Sequence, residues 1–297
     1  MATIAVKSIS YPKGPHHYGT SDTDPHNYNE ELVDPNTVAR DVPVPLGIVW
    51  KGNPFYCKLY ELDDGSVPSP GRSPRYFGAS FRYGITDISA VNVFFHPSPG
   101  YAQLSDHNYV GLKNEWNDLY RYMQVFGVQL AAASCNMVLV MPIFSAGTPW
   151  PDPGILKNNW RDILNAILVE VQKVAWPDQS GATPMARNQN AMTDLLLSCF
   201  SRGRAALSNF RTSPGVSTLL REIWDYDGDG ASPPGPADKG QVLRYDQATS
   251  GRGHGIFHVP ASRWSRISFY NGGNFNVHSA IPERLMFHTT TVSSFGH

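Results

Sequence analysis

Residues 193–210 read TDLLLSCFSRGRAALSNF, and the two halves of that stretch have different textures. TDLLLSCF is a continuous apolar run of strand length with no alternating polar face, which predicts a strand buried on both sides. SRGRAALSNF, which follows without a break, reads as a helix. A strand passing directly into a helix is half of a crossover connection, so the sheet that holds it is expected to be mostly parallel.

The same texture extends to either side. SAVNVFFHPSPG, residues 89–100, is a short apolar run ending in a Pro/Gly turn, and CNMVLVMPIF, residues 135–144, is another buried strand. Between them Trp116, Leu119, Tyr120 and Met123 fall at helical spacing. Trp160, Ile163, Leu164, Ile167, Leu168, Val171 and Val174 mark one face of a helix closed by Pro177. VSTLLREIWDYDG, residues 216–228, reads as a fourth strand. The fold class is therefore α/β, a mostly parallel sheet with helices on both faces.

The N-terminal part differs. PHHYGTSDTDPHNYNEELVDPN, residues 15–36, carries neither hydrophobic period and reads as an irregular arm. VPLGIVW, FYCKLYEL and YFGASFRYG, separated by turn-rich segments, suggest an antiparallel β section. The expected organisation is a β-rich N-terminal extension over residues 1–84, packed on a core over residues 85–297. GDGASPPGPADKG, residues 228–240, has the composition of a surface loop, and no internal repeat is visible.

Composition narrows the function classes. Lys and Arg total 24 against 25 Asp and Glu, a net charge of −1, so no basic stripe for nucleic acid or anionic lipid dominates. Hydrophobic residues reach 41% and charged residues only 16%, and a chain of 297 residues buries roughly 75% of its unfolded surface without help from disulfides or metals. Cys57, Cys135 and Cys199 cannot all pair and lack metal-ligand spacing, which favours a reducing compartment. MATIAVKSIS has no long apolar run, and no stretch approaches the ~18 apolar residues of a membrane span, so a soluble, cytoplasmic protein is expected.

The junction Cys199-Phe200-Ser201-Arg202-Gly203 is the strongest chemical feature. A serine on a sharp strand-to-helix turn holds its hydroxyl above the sheet, and the residues two before and two after it must be small because strand and helix nearly touch. The turn also aims the first backbone N–H groups of the helix at the same space, the Arg202 N–H first, where they stabilise an oxyanion. An ordinary turn with Ser201 as a helix cap is the plainer alternative.

A second feature is His96-Pro97-Ser98-Pro99-Gly100, after an earlier strand. A stiff loop there supplies the other oxyanion donor, with the Ser98 backbone N–H as the candidate. In a plain turn His96 would simply be satisfied by a neighbouring carbonyl. A base for Ser201 is expected late in the chain, and His278 in NVHSAIP, just before a Pro suited to start a helix, is preferred over His254 and His258 in HGIFH. His288 falls within that terminal helix. For the acid, Asp225, Asp227 and Asp229 follow STLLREIW; Asp227 is preferred, with Asp225 next and Asp246 after QVLRY third.

The order Ser201, Asp227, His278, with the turn from His96 to Gly100, resembles the α/β-hydrolase superfamily over about residues 85–297. The resemblance implies a serine esterase or lipase-like acyl hydrolase that needs no cofactor and acts on a small-molecule or lipid-like ester. Ser201 would attack the carbonyl, His278 would take and return the proton, and Asp227 would hold the imidazole. Cys199 stands where the commonest pattern has glycine.

Rival readings share these residues. Asp225-Tyr226-Asp227-Gly228-Asp229-Gly230 matches half of a calcium loop, but its twelfth position is Pro236 instead of Glu. A looser calcium site on a catalytically inactive, hydrolase-like binding protein is the non-enzymatic alternative. His16-His17 and the pair His254, His258 read as loop histidines, because Gly and Pro break the helix that metal ligands four apart would need. Trp150, Phe257 and Trp264 are candidates to line an apolar pocket, with plain packing as the alternative.

Overall fold

The computed structural model describes residues 4–8, 32–33, 55–63, 74–97, 122–123, 126–127, 129–144, 155–176, 192–226, 241–246, 256–258, 286, 289–290, 293 and 295. Among them is one sheet of ten strands, nine of which run in the order β1-β3-β4-β6-β5-β7-β8-β9-β10 while β2 pairs with β3 off this path. The strands are β1 (Val6–Ser8), β2 (Leu32–Val33), β3 (Phe55–Leu62), β4 (Tyr76–Arg82), β5 (Ala90–Phe95), β6 (Val138–Ile143), β7 (Asp194–Phe200), β8 (Leu220–Tyr226), β9 (Gln241–Asp246) and β10 (Ile256–His258). From β6 to β10 every neighbouring pair is parallel. β3 and β4 form the antiparallel section and join the rest through the antiparallel pair β4·β6. β1 and β2 lie end to end along the outer edge of β3, on Tyr60–Leu62 and on Phe55–Tyr56 respectively.

Side-chain alternation explains the continuous apolar runs. Val91, Val93, Phe95, Leu195, Leu197, Cys199 and Ile223 belong to one core, and Phe94, Leu196, Phe200, Trp224 and Tyr226 to a second core on the opposite face. The first core is covered by helix α1 (Ile155–Ala175) and helix α2 (Gly203–Phe210), through Trp160, Ile163, Leu164, Ile167, Leu207 and Phe210. Met123, Phe126 and Leu130, in helical residues before β6, and Met286 near the C-terminus cover the other. A strand clothed on both faces tolerates no polar alternation, and VNVFF and DLLLSCF show none.

The expected strand over residues 216–228 starts late. Gly215 takes a left-handed φ of 79° and Val216–Leu219 form one helical turn, α3, whose Thr218 hydroxyl donates to the Gly215 carbonyl; the strand begins only at Leu220. Trp116, Leu119 and Tyr120 lie outside the described residues. No helix among the described residues is long and apolar enough to cross a membrane.

The winding direction reverses at β5. Its chain leaves over the Phe126 face to reach β6 on one side, and the chain returning from α1 enters β7 on the other. α2, after β7, lies on the opposite face from the helix after β5. Between those two departures lies the switch point of the strand order, and in open α/β sheets ligands bind at the C-terminal strand ends there.

Candidate active site

Ser201 stands at that switch point, at the C-terminal end of β7. It follows the last residue of β7, is partly exposed, and has φ of 53°, one of two non-glycine residues with positive φ among those described. A left-handed serine costs of order 1 kcal/mol or more, and persists only where the surroundings impose it. Gly203 shows what imposes it. A β-carbon there would strike the Phe95 carbonyl oxygen and lie 2.6 Å from the Phe95 carbonyl carbon and 2.7 Å from the His96 oxygen. The chain must turn sharply at Ser201 to start α2 against the end of β5, and only glycine fits the crossing. Arg202, exposed, is the N-cap of α2, and the first-turn N–H groups of Arg204 and Ala205 donate to the Ser201 and Arg202 carbonyls at 3.2 Å and 3.1 Å.

On the neighbouring strand, His96 directly follows the last residue of β5 and is buried. The Phe144 N–H donates to its Nε2 at 3.0 Å, so Nδ1 carries the proton and donates to the Pro97 carbonyl at 2.6 Å. Burial pulls this imidazole down to about 4, against the opposing effect of the Pro97 carbonyl. His96 is thus neutral at pH 7 with both nitrogens engaged. It serves as a latch between the ends of β5 and β6 and pins the carbonyl that precedes Ser98. Ser98 itself lies outside the described residues.

Asp225 is fully buried and sits beside Cys199 in the parallel register of β7 and β8. The Cys199 thiol donates to Asp225 Oδ1 at 3.6 Å, and Arg204 Nη1 lies 3.7 Å from Oδ2, with the arginine side chain only 9% exposed. Asp225 therefore faces the underside of the turn. Reading the sequence alone does not reveal this contact, because Arg204 in a first helical turn looks like a solvated charge. All three cysteines are buried and none forms a disulfide.

Asp246 and His258 end β9 and β10 and are register partners at the same sheet edge. Asp227, Asp229, His278, His254, His288, His16, His17, Trp150 and Trp264 lie outside the described residues, and Phe257 is placed only by its backbone in β10. Among the described residues no group of three or more His, Cys, Asp or Glu is arranged to hold a metal ion.

No protein-family model matches the sequence, and no curated protein sequence matches it. Solved structures similar to the chain include a candidate hydrolase from Legionella pneumophila, at 12% identity and a TM-score of 0.37, covering 67% of this chain and 50% of the other. A thermostable esterase from Pseudomonas putida follows at 14% identity and 0.32, covering 68% and 50%. The rice cell wall degrading esterase LipA from Xanthomonas oryzae is 11% identical at 0.33, covering 67% and 48%. The chain spans about half the length of each of these proteins. With likeness this distant, the strand order, the parallel register and the serine between strand and helix are what define the architecture: an α/β fold with a mostly parallel sheet covered by helices on both faces.

Proposed function

We propose that the protein is a serine hydrolase that cleaves a carboxylic ester through an acyl-enzyme intermediate. The observation that carries this reading is the left-handed Ser201 on a bend so tight that Gly203 admits no β-carbon. Left-handed non-glycine residues cluster at active sites, where the surrounding structure over-determines them. Ser201 Oγ attacks the ester carbonyl as His278 removes its proton; the backbone N–H groups of Arg202 and Ser98 stabilise the oxyanion; His278 returns the proton to the leaving alcohol. Water, activated by the same imidazole, then releases the acid.

Spacing supports the choice of base. His258 on β10 is three strands from β7, about 14 Å at the usual inter-strand spacing, too far for an imidazole that stays on its strand. His96 is latched and neutral. The base must then come from elsewhere in the chain, and His278 is the histidine this reading assigns. For the acid, Asp225 already faces Arg204 and Cys199, which leaves Asp227, the residue after Tyr226, as the preferred orienter. Asp246 is the second reading, favoured by its place at the same sheet edge.

Asp225 also opens the half calcium loop, and its guanidinium neighbour is an unfavourable partner for a cation. The substrate is a small-molecule or lipid-like ester, a class consistent with esterases among the similar structures. Residues 1–84 form an extension joined edgewise to the core over 85–297, a division supported by the switch from antiparallel to parallel pairing at β6.

A fluorophosphonate probe tests the reading. Labelling of the wild type that disappears in Ser201→Ala supports it, together with turnover of p-nitrophenyl acetate; absence of labelling points instead to a binding protein on a hydrolase-like scaffold.

A further inference from the structure

We propose that Asp225 is a positioning residue that clamps both arms of the Ser201 bend, gripping Cys199 on the strand side and Arg204 on the helix side. The inference rests on Ser201 being the nucleophile. Cys199 is two residues before the serine and Arg204 three after it, yet both reach one carboxylate on the neighbouring strand β8, at 3.6 Å and 3.7 Å. The carboxylate is fully buried and the arginine nearly so, so their attraction is little screened by water. An arginine in the first turn of α2 opposes the helix dipole, and its placement there is explained by the anion it meets. Cys199 also gains a reason: glycine at that position has no group to offer Asp225.

The clamp acts at a point of strain. With φ of 53°, Ser201 would relax if α2 were free to shift away from β7. Gly203 fixes how closely α2 approaches β5, and the Asp225 clamp fixes it to β8 on the other side. The first turn of α2 is thereby held from both neighbouring strands. The hydroxyl and the Arg202 N–H keep one mutual geometry, on which the rate of attack depends steeply.

The test separates positioning from bulk stability. Arg204→Met and Asp225→Asn should each lower kcat on p-nitrophenyl acetate about 10- to 100-fold with KM within about twofold, and slow fluorophosphonate labelling in parallel. Arg204→Lys should recover most of the rate. The double variant Arg204→Met/Asp225→Asn should be no slower than the slower single variant, as expected for partners in one interaction. Cys199→Ala, a small change that keeps the core filled, should give a milder loss. Hydrogen exchange over residues 199–207 should quicken in Arg204→Met and Asp225→Asn while α1 stays protected. Wild-type rates and unchanged exchange in these variants would overturn the clamp. Equal loosening throughout the molecule, with activity falling only as folded protein is lost, would overturn it too. Should the wild type neither label nor turn over ester, the serine-hydrolase reading fails, and exchange over residues 199–207 still decides whether the clamp holds the bend.

Discussion

Gly203 passes so close to Phe95 that a β-carbon at 203 would overlap the Phe95 carbonyl oxygen. The obstacle is backbone, which cannot swing aside as a side chain does. Gly203→Ala must therefore push α2 off the sheet, at a cost of about 3 kcal/mol or more. For a domain of this size the expected fall in Tm is about 5–10 °C, read by calorimetry, with esterase activity lost well below the unfolding temperature. Gly127, where a β-carbon would meet the Phe55 ring and lie 3.1 Å from Ser80 Oγ, offers a control away from the site: Gly127→Ala should destabilise and leave the activity of the remaining folded protein intact.

The strain at Ser201 gives a pair of variants with opposite signatures. Ser201→Ala should remove activity by about 10⁴-fold or more with little change in stability. Ser201→Gly should be equally inactive yet more stable than Ser201→Ala by about 1 kcal/mol, since glycine adopts the left-handed region without penalty. Urea unfolding of the two measures the difference, and equal midpoints would contradict a strained serine.

The acid is separable by three substitutions. Asp227→Asn should lower kcat by about 10³-fold, less than loss of Ser201 or His278. Asp246→Asn should then be close to wild type, and the reverse ranking would transfer the role to Asp246. Both differ from Asp225→Asn, whose effect is bounded by the clamp.

His96 provides a pH dependence with a definite sign. Its folded value, lowered to about 4, lies below the ordinary 6.5 that it regains on unfolding. The unfolded chain therefore binds the proton more readily, and stability present above pH 6.5 is lost as the pH falls toward 4. The full effect is about 3 kcal/mol by linkage. His96→Gln keeps a donor and an acceptor but cannot titrate; the gap in stability between it and wild type should narrow from pH 7 to pH 4.5.

The thiols should be inert in the folded protein. Burial raises Cys135 to about 12 despite the nearby Arg82 guanidinium, and Cys57 and Cys199 are equally buried. Ellman's reagent should find essentially no thiol at pH 8 under native conditions and all three cysteines in guanidinium.

Much of the fold was legible because a doubly covered sheet writes itself as unbroken apolar runs: VNVFF, VLVMPIF and DLLLSCF became β5, β6 and β7 within a residue or two. The start of β8 was not, since VSTL suits a strand by composition and only the left-handed Gly215 turns it into helix. At the site, S-x-G pointed to a sharp bend, but the clash that makes Gly203 obligatory comes from β5, a hundred residues away. The Asp225–Arg204 contact was hidden for the same reason: it depends on which residue of β8 falls opposite Cys199, and register between strands leaves no trace in either strand alone.

The outer margin of β3 is shielded by two short strands laid end to end, β1 on its last residues and β2 on its first. Stripped of them, the eight-residue FYCKLYEL strand would offer bare amides and carbonyls, flanked by aromatic and aliphatic side chains, to any like strand nearby. Val6–Ser8 and Leu32–Val33 thus act as a guard against sheet-to-sheet fusion, and a version trimmed to begin at Phe55 would be expected to stick to itself.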